Sequence, residues 1–391
     1  MTTPSYYIWP GQVYFGFGAS QRVGAEAQAE GAKHVFVIAD PGVVAAGLLE
    51  SITGSLKAAG LAYAIYDQVI PNPDTIAVDA AVAAFRESQA DLIVGVGGGS
   101  GLDTAKAVRM VTGGPPEGRV AEYAYRLGDK ARPHPKILPP YIAIPTTAGT
   151  GADVTPWAVI TDVANKFKFG VGGPRSVPTM AIVDPELMLT LPAFLTAATG
   201  MDALTHCIEA YVSTNDNPAL DPMILYGIEL IGRSLTVAVA RGDNRAARHD
   251  MAQAAYIGGV AISSKWLGAC HSLAHQLSGF ANVQHGLANS IMLPHQMAYS
   301  LPGAIERYAR ISAALGVPNE GTLRQRAERA VAAVRQLAED VGLPTRLRDV
   351  GVTEEMIKPM AKLAYTVDLN WWTNPRSVSE DVMERLYRAA F

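Results

Sequence analysis

Histidines are concentrated in one short stretch of the sequence. Residues 271–285, HSLAHQLSGFANVQH, contain His271, His275 and His285, and His295 follows ten residues later. The whole chain has eight histidines, and an even distribution would place about 0.3 of them in a window of this size. Imidazoles at this density indicate a metal site or a proton-transfer site. Each histidine alone is better explained by a polar helix face or a hydrogen-bonded core position, so other features must decide for the group.

Helical spacing groups the candidate ligands into pairs. His271 and His275 are four residues apart, and GMDALTH places Asp202 and His206 at the same spacing, so each pair shares one helix face. The HExxH pattern of zinc proteases is not met, because Ser272 occupies the position of its glutamate. Two such helices can face each other in a bundle. A carboxylate with imidazoles and no thiolate suits Fe(II) or Zn(II), and Mn(II) less well.

Two glycine-rich turns each follow a predicted strand, in DLIVGVGGGSGLDTAKAV (residues 91–108) and AIPTTAGTGADVT (residues 143–155). Such turns let backbone N–H groups and a helix N-terminus approach a phosphate, although a tight turn without a ligand has the same composition. The GxGxxG fingerprint fails, since starting from Gly97 its last position is Leu102, and the P-loop ending GK[ST] is absent. The turns therefore predict nucleotide binding without a standard Rossmann motif.

Asp40 ends the predicted strand HVFVIAD. A carboxylate there can accept a hydrogen bond from a ribose 2′-hydroxyl and repel a 2′-phosphate, which predicts NAD rather than NADP. The alternative is a turn or helix-capping residue.

The elements that must position these residues change type along the chain. Five apolar, β-branched runs separated by helical patterns predict a parallel sheet covered on both faces; they span residues 34–40, 60–69, 91–99, 139–147 and 179–185. From about residue 193 the sequence has helical periodicity and almost no β-branched run. We therefore predict an α/β dinucleotide-binding domain over residues 1–190 and an α-helical, metal-binding and catalytic domain over residues 191–391.

Composition excludes several classes of partner. The 391 residues are 49% hydrophobic and carry a formal net charge of −4 without a basic block, which argues against binding to nucleic acid or to an anionic membrane surface. We see neither a membrane-spanning run nor an N-terminal signal pattern, so the cytoplasm is the expected location. Cys207 and Cys270 do not form a disulfide framework or a CxxC motif and are expected to be small buried side chains.

Four segments together identify a family. GGGSGLDTAKAV, IPTTAGTGADVT, TGMDALTHCIEAYVS and CHSLAHQLSGFANVQHGLANSIMLPHQM, in this order, resemble the iron-dependent (group III) alcohol dehydrogenases, which include lactaldehyde:propanediol oxidoreductases. The resemblance covers nearly the whole chain, down to NPR at residues 374–376. It implies a dehydroquinate synthase-like architecture, with a Rossmann-like α/β domain followed by a helical metal domain, and a homodimer or larger homo-oligomer.

The resemblance also implies roles for individual residues. The metal ligands would be Asp202, His206, His271 and His285, and His275 would lie near the nicotinamide in a proton-transfer or merely positional role. Contacts to the dinucleotide would come from Asp40, Asn72, Gly97, Gly98, Gly99, Ser100, Asp103, Thr146, Thr147, Thr150 and Lys168. The resident metal would be Fe²⁺, with Zn²⁺ as the alternative.

The implied chemistry follows from charge. One carboxylate and three neutral imidazoles leave a divalent metal with a net charge of about +1, which stabilises an alcohol oxygen as the alkoxide. Hydride then passes to nicotinamide C4, and the reverse reaction reduces an aldehyde or ketone. The predicted substrate is a primary alcohol or short diol.

Tryptophans mark the expected substrate pocket. Trp157, Trp371 and Trp372 stand where relatives often have smaller residues, and Leu267 lies one turn before the first histidine of the cluster. These side chains would narrow the pocket or provide aromatic walls for a longer apolar chain. The alternative is that the tryptophans belong to the core or to an interface.

Three other functions fit less of the sequence. A metal-independent reductase of the maleylacetate reductase type has no need for the complete set of one aspartate and three histidines. A dehydroquinate synthase-like lyase needs a basic phosphate-binding set, and near the metal segment only Lys265 is available. A binding protein with a structural metal clamp leaves the two glycine-rich turns without a role.

Overall fold

The chain forms two compact units. In the computed structural model, which describes residues 6–125, 130–163 and 167–391, one unit consists of Ile8–Thr147 and Ala152–Thr190. The other consists of Ala148–Gly151 and Leu191–Phe391, together with Tyr6 and Tyr7. The assignment of dinucleotide binding to residues 1–190 and of metal binding to residues 191–391 stays a prediction.

The first unit is built on a parallel sheet. Its described strands are β1 Gln12–Phe15, β2 His34–Ala39, β3 Ala62–Tyr66, β4 Leu92–Gly97, β5 Tyr141–Pro145, β6 Trp157–Asp162, β7 Phe167–Gly172 and β8 Met180–Val183. Six of them pair in the order β1-β8-β5-β4-β2-β3, every neighbour parallel. The strand order reverses between β2 and β4, because β2 continues to β3 on one side whereas β4 continues to β5 on the other.

Helices cover both faces of this sheet. They are α1 Val23–Ala29, α2 Pro41–Ala45, α3 Leu49–Ala58, α4 Thr75–Ser88 and α5 Gly99–Thr112. Alternate residues of β2 enter opposite apolar clusters: Phe36 and Ile38 belong to one, Val35 and Val37 to the other. Strands buried on both faces must be apolar throughout, which is why β2, β4, β5 and β8 were recognisable in the sequence. β3 lies at the edge of the sheet and only its last residue is buried, although its sequence is also apolar. The predicted α/β class with a parallel sheet is confirmed.

The sequence did not indicate β1 or the hairpin of β6 and β7. The two hairpin strands pair antiparallel, with Trp157 opposite Gly172 and Asp162 opposite Phe167. Buried and half-buried residues alternate along β6, so it lacks the continuous apolar run that marks the sheet strands. β1 has four residues, none of them fully buried, and such a short edge strand leaves little pattern.

The second unit is helical, as predicted. Its helices are α6 Ala193–Val212, α7 Asp221–Ala240, α8 Arg245–Lys265, α9 Ala269–Ala281, α10 His285–Ser300, α11 Ile305–Ala314, α12 Leu323–Asp340, α13 Glu354–Thr366 and α14 Glu380–Ala390. Helix α6 is buried from Thr196 to Val212 and packs against α7, α8 and α10. A helix that is buried all round lies at the centre of its bundle, so polar side chains on α6 face other helices rather than water.

One segment of this bundle also has the length and composition of a membrane span. Pro218–Ala240 has a mean hydropathy of 1.5, and 44% of the most apolar window is buried in the structure. The segment includes α7, which packs against α6 and α8. A core helix of a bundle passes the same test of length and composition.

Candidate metal centre and nucleotide-binding turns

Three imidazole nitrogens surround one buried carboxylate oxygen in the helical unit. Oδ1 of Asp202 lies 3.8 Å from Nε2 of His206, 4.0 Å from Nε2 of His271 and 3.6 Å from Nε2 of His285. Asp202 and His206 come from α6, His271 from α9, and His285 from the first turn of α10. The side chain of Gln284 fixes the start of α10 by accepting a hydrogen bond from the Leu287 N–H.

The spacing fits a divalent metal. Ligand atoms of Asp202, His271 and His285 all lie within 4.8 Å of one another, and His206 stacks on His271 with ring centroids 4.8 Å apart. Four ligands about 2.1 Å from a tetrahedral metal are roughly 3.4 Å apart. The separations of 3.6 to 4.0 Å between Asp202 and the three imidazoles are close to this value.

Hydrogen bonds and burial keep the imidazoles ready to donate a lone pair. Nδ1 of His206 lies 3.3 Å from the Gly149 carbonyl oxygen, and Nδ1 of His271 lies 2.5 Å from Oε2 of Glu209. A proton on each Nδ1 leaves Nε2 bare and facing Asp202. Burial lowers the pKa of His206 to about 4 and that of His271 to about 3, so both rings are neutral at pH 7.

In the first unit, side chains predicted to contact the dinucleotide meet where the strand order reverses. Asp40 follows β2, Gly97 ends β4, and Gly98 is the N-cap residue of α5. A Cβ on Gly97 would lie 3.2 Å from Oδ2 of Asp40, and one on Gly98 would lie 3.2 Å from Cγ2 of Thr147. Ligands of open α/β sheets bind at this kind of position. Oδ1 of Asp40 caps α2 by accepting from the Val43 N–H, which is the alternative role that the sequence left open; its contact with the cofactor stays a prediction.

Further predicted cofactor residues lie beside this turn. Asn72, in the left-handed region at φ 52°, accepts a hydrogen bond from Lys168 Nζ at 2.8 Å, and its N–H donates to the Ser100 hydroxyl. The carboxylate of Asp103 accepts instead from the Val159 N–H, and it pairs with Lys106. These contacts give Asp103 a role in joining α5 to the hairpin.

The remaining predicted cofactor residues lie in the glycine-rich segments. Thr146 donates its N–H to the Gly97 carbonyl, and Gly99 is the first residue of α5. Thr150 lies in Ala148–Gly151 of the helical unit.

Comparison with known proteins identifies the family. The family described as iron-containing alcohol dehydrogenase matches residues 10–185, and that described as the Fe-containing alcohol dehydrogenase family, C-terminal, matches residues 196–391. The chain belongs to the iron-containing alcohol dehydrogenases. This confirms the predicted family, and the matches do not favour the maleylacetate reductase or dehydroquinate synthase alternatives.

Relatives match over the full length. A 1,3-propanediol dehydrogenase of Klebsiella pneumoniae is 40% identical over 388 residues, covering 98% of each chain. An NAD-dependent methanol dehydrogenase of Bacillus methanolicus is 40% identical over 373 residues, covering 95% of this chain and 96% of the relative. A crystal structure of 1,3-propanediol oxidoreductase is similar with a TM-score of 0.94 at 39% identity, covering 100% of both chains.

Glu209 is a site residue of this iron-containing alcohol dehydrogenase that our sequence reasoning missed. It is 1% exposed, and its carboxylate accepts from the Cys270 N–H at 2.7 Å as well as from His271. Burial raises its pKa to about 7. The signal was present in the sequence, because Glu209 lies three residues after His206 and seven after Asp202, on the same face of α6.

Asn289 was missed as well. Its Nδ2 donates to Oδ1 of Asp202 at 2.7 Å and lies 3.1 Å from Nε2 of His271 and 3.2 Å from Nε2 of His285. The side chain is fully buried and stands one helical turn after His285 on α10. The amide therefore holds three of the four candidate ligands together, and the spacing of four residues was again the available signal.

The two cysteines do not enter this ligand set. Both are free and buried. Burial raises the pKa of Cys207 to about 12 and the pKa of Cys270 well above its usual range, so both remain thiols at neutral pH. The candidate ligand set thus consists of carboxylate and imidazole, and its assignment to Fe(II) or Zn(II) stays a prediction.

His275 faces a different carboxylate from the other three imidazoles. Its Nδ1 lies 2.5 Å from Oδ2 of Asp368, and its ring stacks on that of His285 with centroids 5.2 Å apart. Burial raises the pKa of Asp368, but His275 and hydrogen bonds from Asn370 and Ser272 outweigh that effect and lower it below the usual range. His275 thus pairs with Asp368 rather than with Asp202, and its assignment as a residue that does not bind metal stays a prediction.

The residues predicted to line a substrate pocket fall into two groups. In the helical unit, the turn Asn370–Thr373 contacts α9, and the Thr373 hydroxyl donates to the Leu267 carbonyl. Trp371 stacks on Tyr365 with centroids 4.9 Å apart, whereas Trp372 is 75% exposed. Trp157 belongs to the other unit, where its ring meets Tyr125 edge to face at 5.3 Å. A shared substrate pocket stays a prediction.

Proposed function

We propose that this protein is a divalent-metal-dependent, NAD(H)-linked dehydrogenase that interconverts small primary alcohols or diols and their carbonyl products. The observation that carries the proposal is the ring of three imidazoles around Oδ1 of the buried Asp202 in the helical unit. Small alcohols are favoured because the names of the relatives above refer to 1,3-propanediol and methanol.

The donor set determines what the site can do. When bound, a divalent cation supplies positive charge that makes an alcohol proton easier to lose and polarises a carbonyl group. Asp202 would contribute one negative charge, and His206, His271 and His285 none, so most of that positive charge is retained. Fe²⁺ is our assignment for the resident ion, from the family, and Zn²⁺ is the alternative that the same ligands accept.

His275 is the group we assign to the alcohol proton. Its Nδ1–H is donated to Asp368, so Nε2 carries the lone pair and is the ring atom able to accept a proton. The side chain is 13% exposed, whereas that of His271 is 1% exposed. A partly accessible imidazole can pass its proton onward, which a fully enclosed one cannot.

For the dinucleotide we propose the switch point of the sheet. Gly98, the N-cap residue of α5, provides no side-chain cap, which leaves backbone N–H groups available for a pyrophosphate. Asp40, beside Gly97, would accept from the ribose 2′-hydroxyl and repel a 2′-phosphate, favouring NAD over NADP. The Bacillus methanolicus relative is named as NAD-dependent, which supports the same choice.

We further propose a cytoplasmic location and a homodimer or larger assembly. Free cysteines are typical of a reducing compartment. Tyr6, Tyr7 and Trp9 are exposed aromatic side chains near one another in the sequence, which supports contact with another copy. Analytical ultracentrifugation of the full chain would give the oligomeric state.

The decisive experiment uses metal-stripped protein under anaerobic conditions, with Fe²⁺ or Zn²⁺ added back. We expect NADH formation from NAD⁺ with short diols or straight-chain primary alcohols, and we expect it to require metal. His271→Ala should lose bound metal and turnover together while NADH still binds. His249→Ala, which removes a partly exposed imidazole from α8, is the matched control and should retain both.

Two results would count against the proposal. Full metal occupancy in His271→Ala would remove the ligand assignment. No turnover with either metal, despite measurable NADH binding, would leave the fold and the cofactor assignment in place and refute the alcohol dehydrogenase activity.

A further inference from the structure

Asp368 accepts hydrogen bonds from α9 and from the turn that follows Asp368 itself. It lies just after α13, and its side chain is 10% exposed. Oδ2 accepts from Nδ1 of His275 at 2.5 Å, and Oδ1 accepts from the Ser272 hydroxyl at 2.9 Å. Asn370 adds its backbone N–H at 3.0 Å and its side-chain amide at 2.8 Å. Oδ1 thus accepts three hydrogen bonds, and the hydrogen bond to Oδ2 comes from His275.

These contacts define the protonation pattern of the neighbouring ring. An ionised carboxylate can only accept, so His275 must carry its hydrogen on Nδ1 when neutral. Nε2 is then the bare nitrogen. If Asp368 were replaced by a group that donates to Nδ1, the ring hydrogen would move to Nε2. Nε2 would then have no lone pair with which to accept a proton.

The same carboxylate also holds the turn that bears the tryptophans. The Ser272 hydroxyl donates to Asp368 and accepts from the Trp371 N–H at 3.0 Å. Helix α9 and the turn Asn370–Thr373 are therefore joined through one buried acceptor. The orientation of His275 and the position of the Trp371 backbone depend on a common group.

We propose that Asp368 is a positioning residue that keeps His275 in the Nδ1–H form and fixes the Trp371 turn against α9. The inference rests on the proposed function, in which His275 handles the alcohol proton. Asp368 would act through His275 and Ser272. A purely structural carboxylate would anchor the chain without affecting the ring, and the two roles predict different measurements.

The test compares Asp368→Asn with the parent by ¹⁵N NMR of histidine-labelled, metal-free protein, with His275 assigned from a His275→Gln spectrum. We expect the parent ring to carry its hydrogen on Nδ1. In Asp368→Asn, an amide that donates to Nδ1 should move it to Nε2. Asp349→Asn, an exposed aspartate of the same unit, is the matched control and should leave the His275 signals unchanged.

Kinetics with restored metal separate the two contacts. Asp368→Asn should lower kcat by about 10²- to 10⁴-fold, the usual contribution of a proton-transfer group, with a smaller change in KM. Ser272→Ala keeps the contact between Asp368 and His275 but frees the turn, so it should raise KM and leave the Nδ1–H form in place. Asp368→Glu retains an acceptor and should recover part of kcat.

Several outcomes would overturn the inference. A parent ring with its hydrogen on Nε2 refutes it directly, even if no variant folds. A lowered kcat with an unchanged tautomer would reduce Asp368 to a structural role. A shifted tautomer with unchanged kcat would show that the Nδ1–H form of His275 does not matter for turnover, which also contradicts the inference. Absence of alcohol turnover in the metal-loaded parent would instead refute the proposed function, because the NMR measurement needs neither metal nor substrate.

Discussion

Replacement of Glu209 by glutamine tests whether the metal centre depends on a group that would not touch the metal. Both carboxylate oxygens of Glu209 accept hydrogen bonds, one from the Cys270 N–H at 2.7 Å and one from Nδ1 of His271 at 2.5 Å. Glutamine has one oxygen and one NH₂ group, so it cannot accept from both donors. One donor would be left facing another donor in a site from which water is excluded.

The size of the effect follows from which donor loses its partner. An unsatisfied buried group costs about 1 to 3 kcal/mol, and loss of a carboxylate behind a metal-ligating histidine lowers metal affinity about 10- to 100-fold, or roughly 1.4 to 2.8 kcal/mol. Glu209 is 1% exposed and its contact to His271 is short, so no solvent screening weakens the pair. We expect the loss in Glu209→Gln to approach the upper end of that range.

The assay is a competition for Zn²⁺ between the protein and a chromophoric chelator. Glu229→Gln, a change on the exposed side of α7 where Glu229 pairs with Arg233, is the matched control and should bind metal as the parent does. A dissociation constant for Glu209→Gln within twofold of the parent value, with the fold intact, would refute the reasoning.

Three further predictions concern cofactor choice, packing and pH. Asp40→Asn keeps an acceptor for the helix cap but removes the charge, so the ratio of kcat/KM for NADP to that for NAD should rise about tenfold; an unchanged ratio would remove Asp40 from cofactor selection. In Gly149→Ala the new Cβ would lie 2.6 Å from Cβ of Thr199. The free energy of unfolding measured in urea should therefore fall by about 1 to 3 kcal/mol, and a fall below about 0.5 kcal/mol would contradict the close approach. Burial and Arg335 lower the pKa of His295 to about 4 in the folded protein, whereas the unfolded chain has the ordinary value of about 6.5. The unfolded state therefore binds a proton first as the pH falls. The contribution of His295 to folding stability is present above pH 6.5 and is lost as the pH falls towards 4. The parent should therefore lose roughly 1 kcal/mol relative to His295→Asn between pH 7 and 4, and parallel stability curves would argue against this assignment.

The elements recognised from the sequence are those whose surroundings impose a simple pattern. β4 and β5 are buried along their whole length, so every residue had to be apolar or small. Asp202 and His206 are four residues apart on a helix, and that spacing alone puts both on one face. Local periodicity was sufficient in each case.

What escaped prediction depends on contacts between distant segments. Asp368 meets His275 across 93 residues, and the Gly149 carbonyl meets His206 across 57. No periodicity links such positions, and they become neighbours only when the helices pack. The role of Glu209 was not predicted for a different reason. Its spacing from Asp202 was visible in the sequence, but a charged residue is usually expected to face solvent.

The short segment Ala148–Gly151 affects how this chain can be divided. It belongs to the helical unit, although Ile8–Thr147 before it and Ala152–Thr190 after it belong to the other. The Gly149 carbonyl is part of the surroundings of His206. A fragment that begins at Leu191 would therefore lack a backbone carbonyl that contacts one of the candidate metal ligands. A chimera that joins two relatives at Leu191 would combine Ala148–Gly151 of one parent with the helices of the other. Its folding would depend on whether these four residues, far from the junction in sequence, are compatible with those helices.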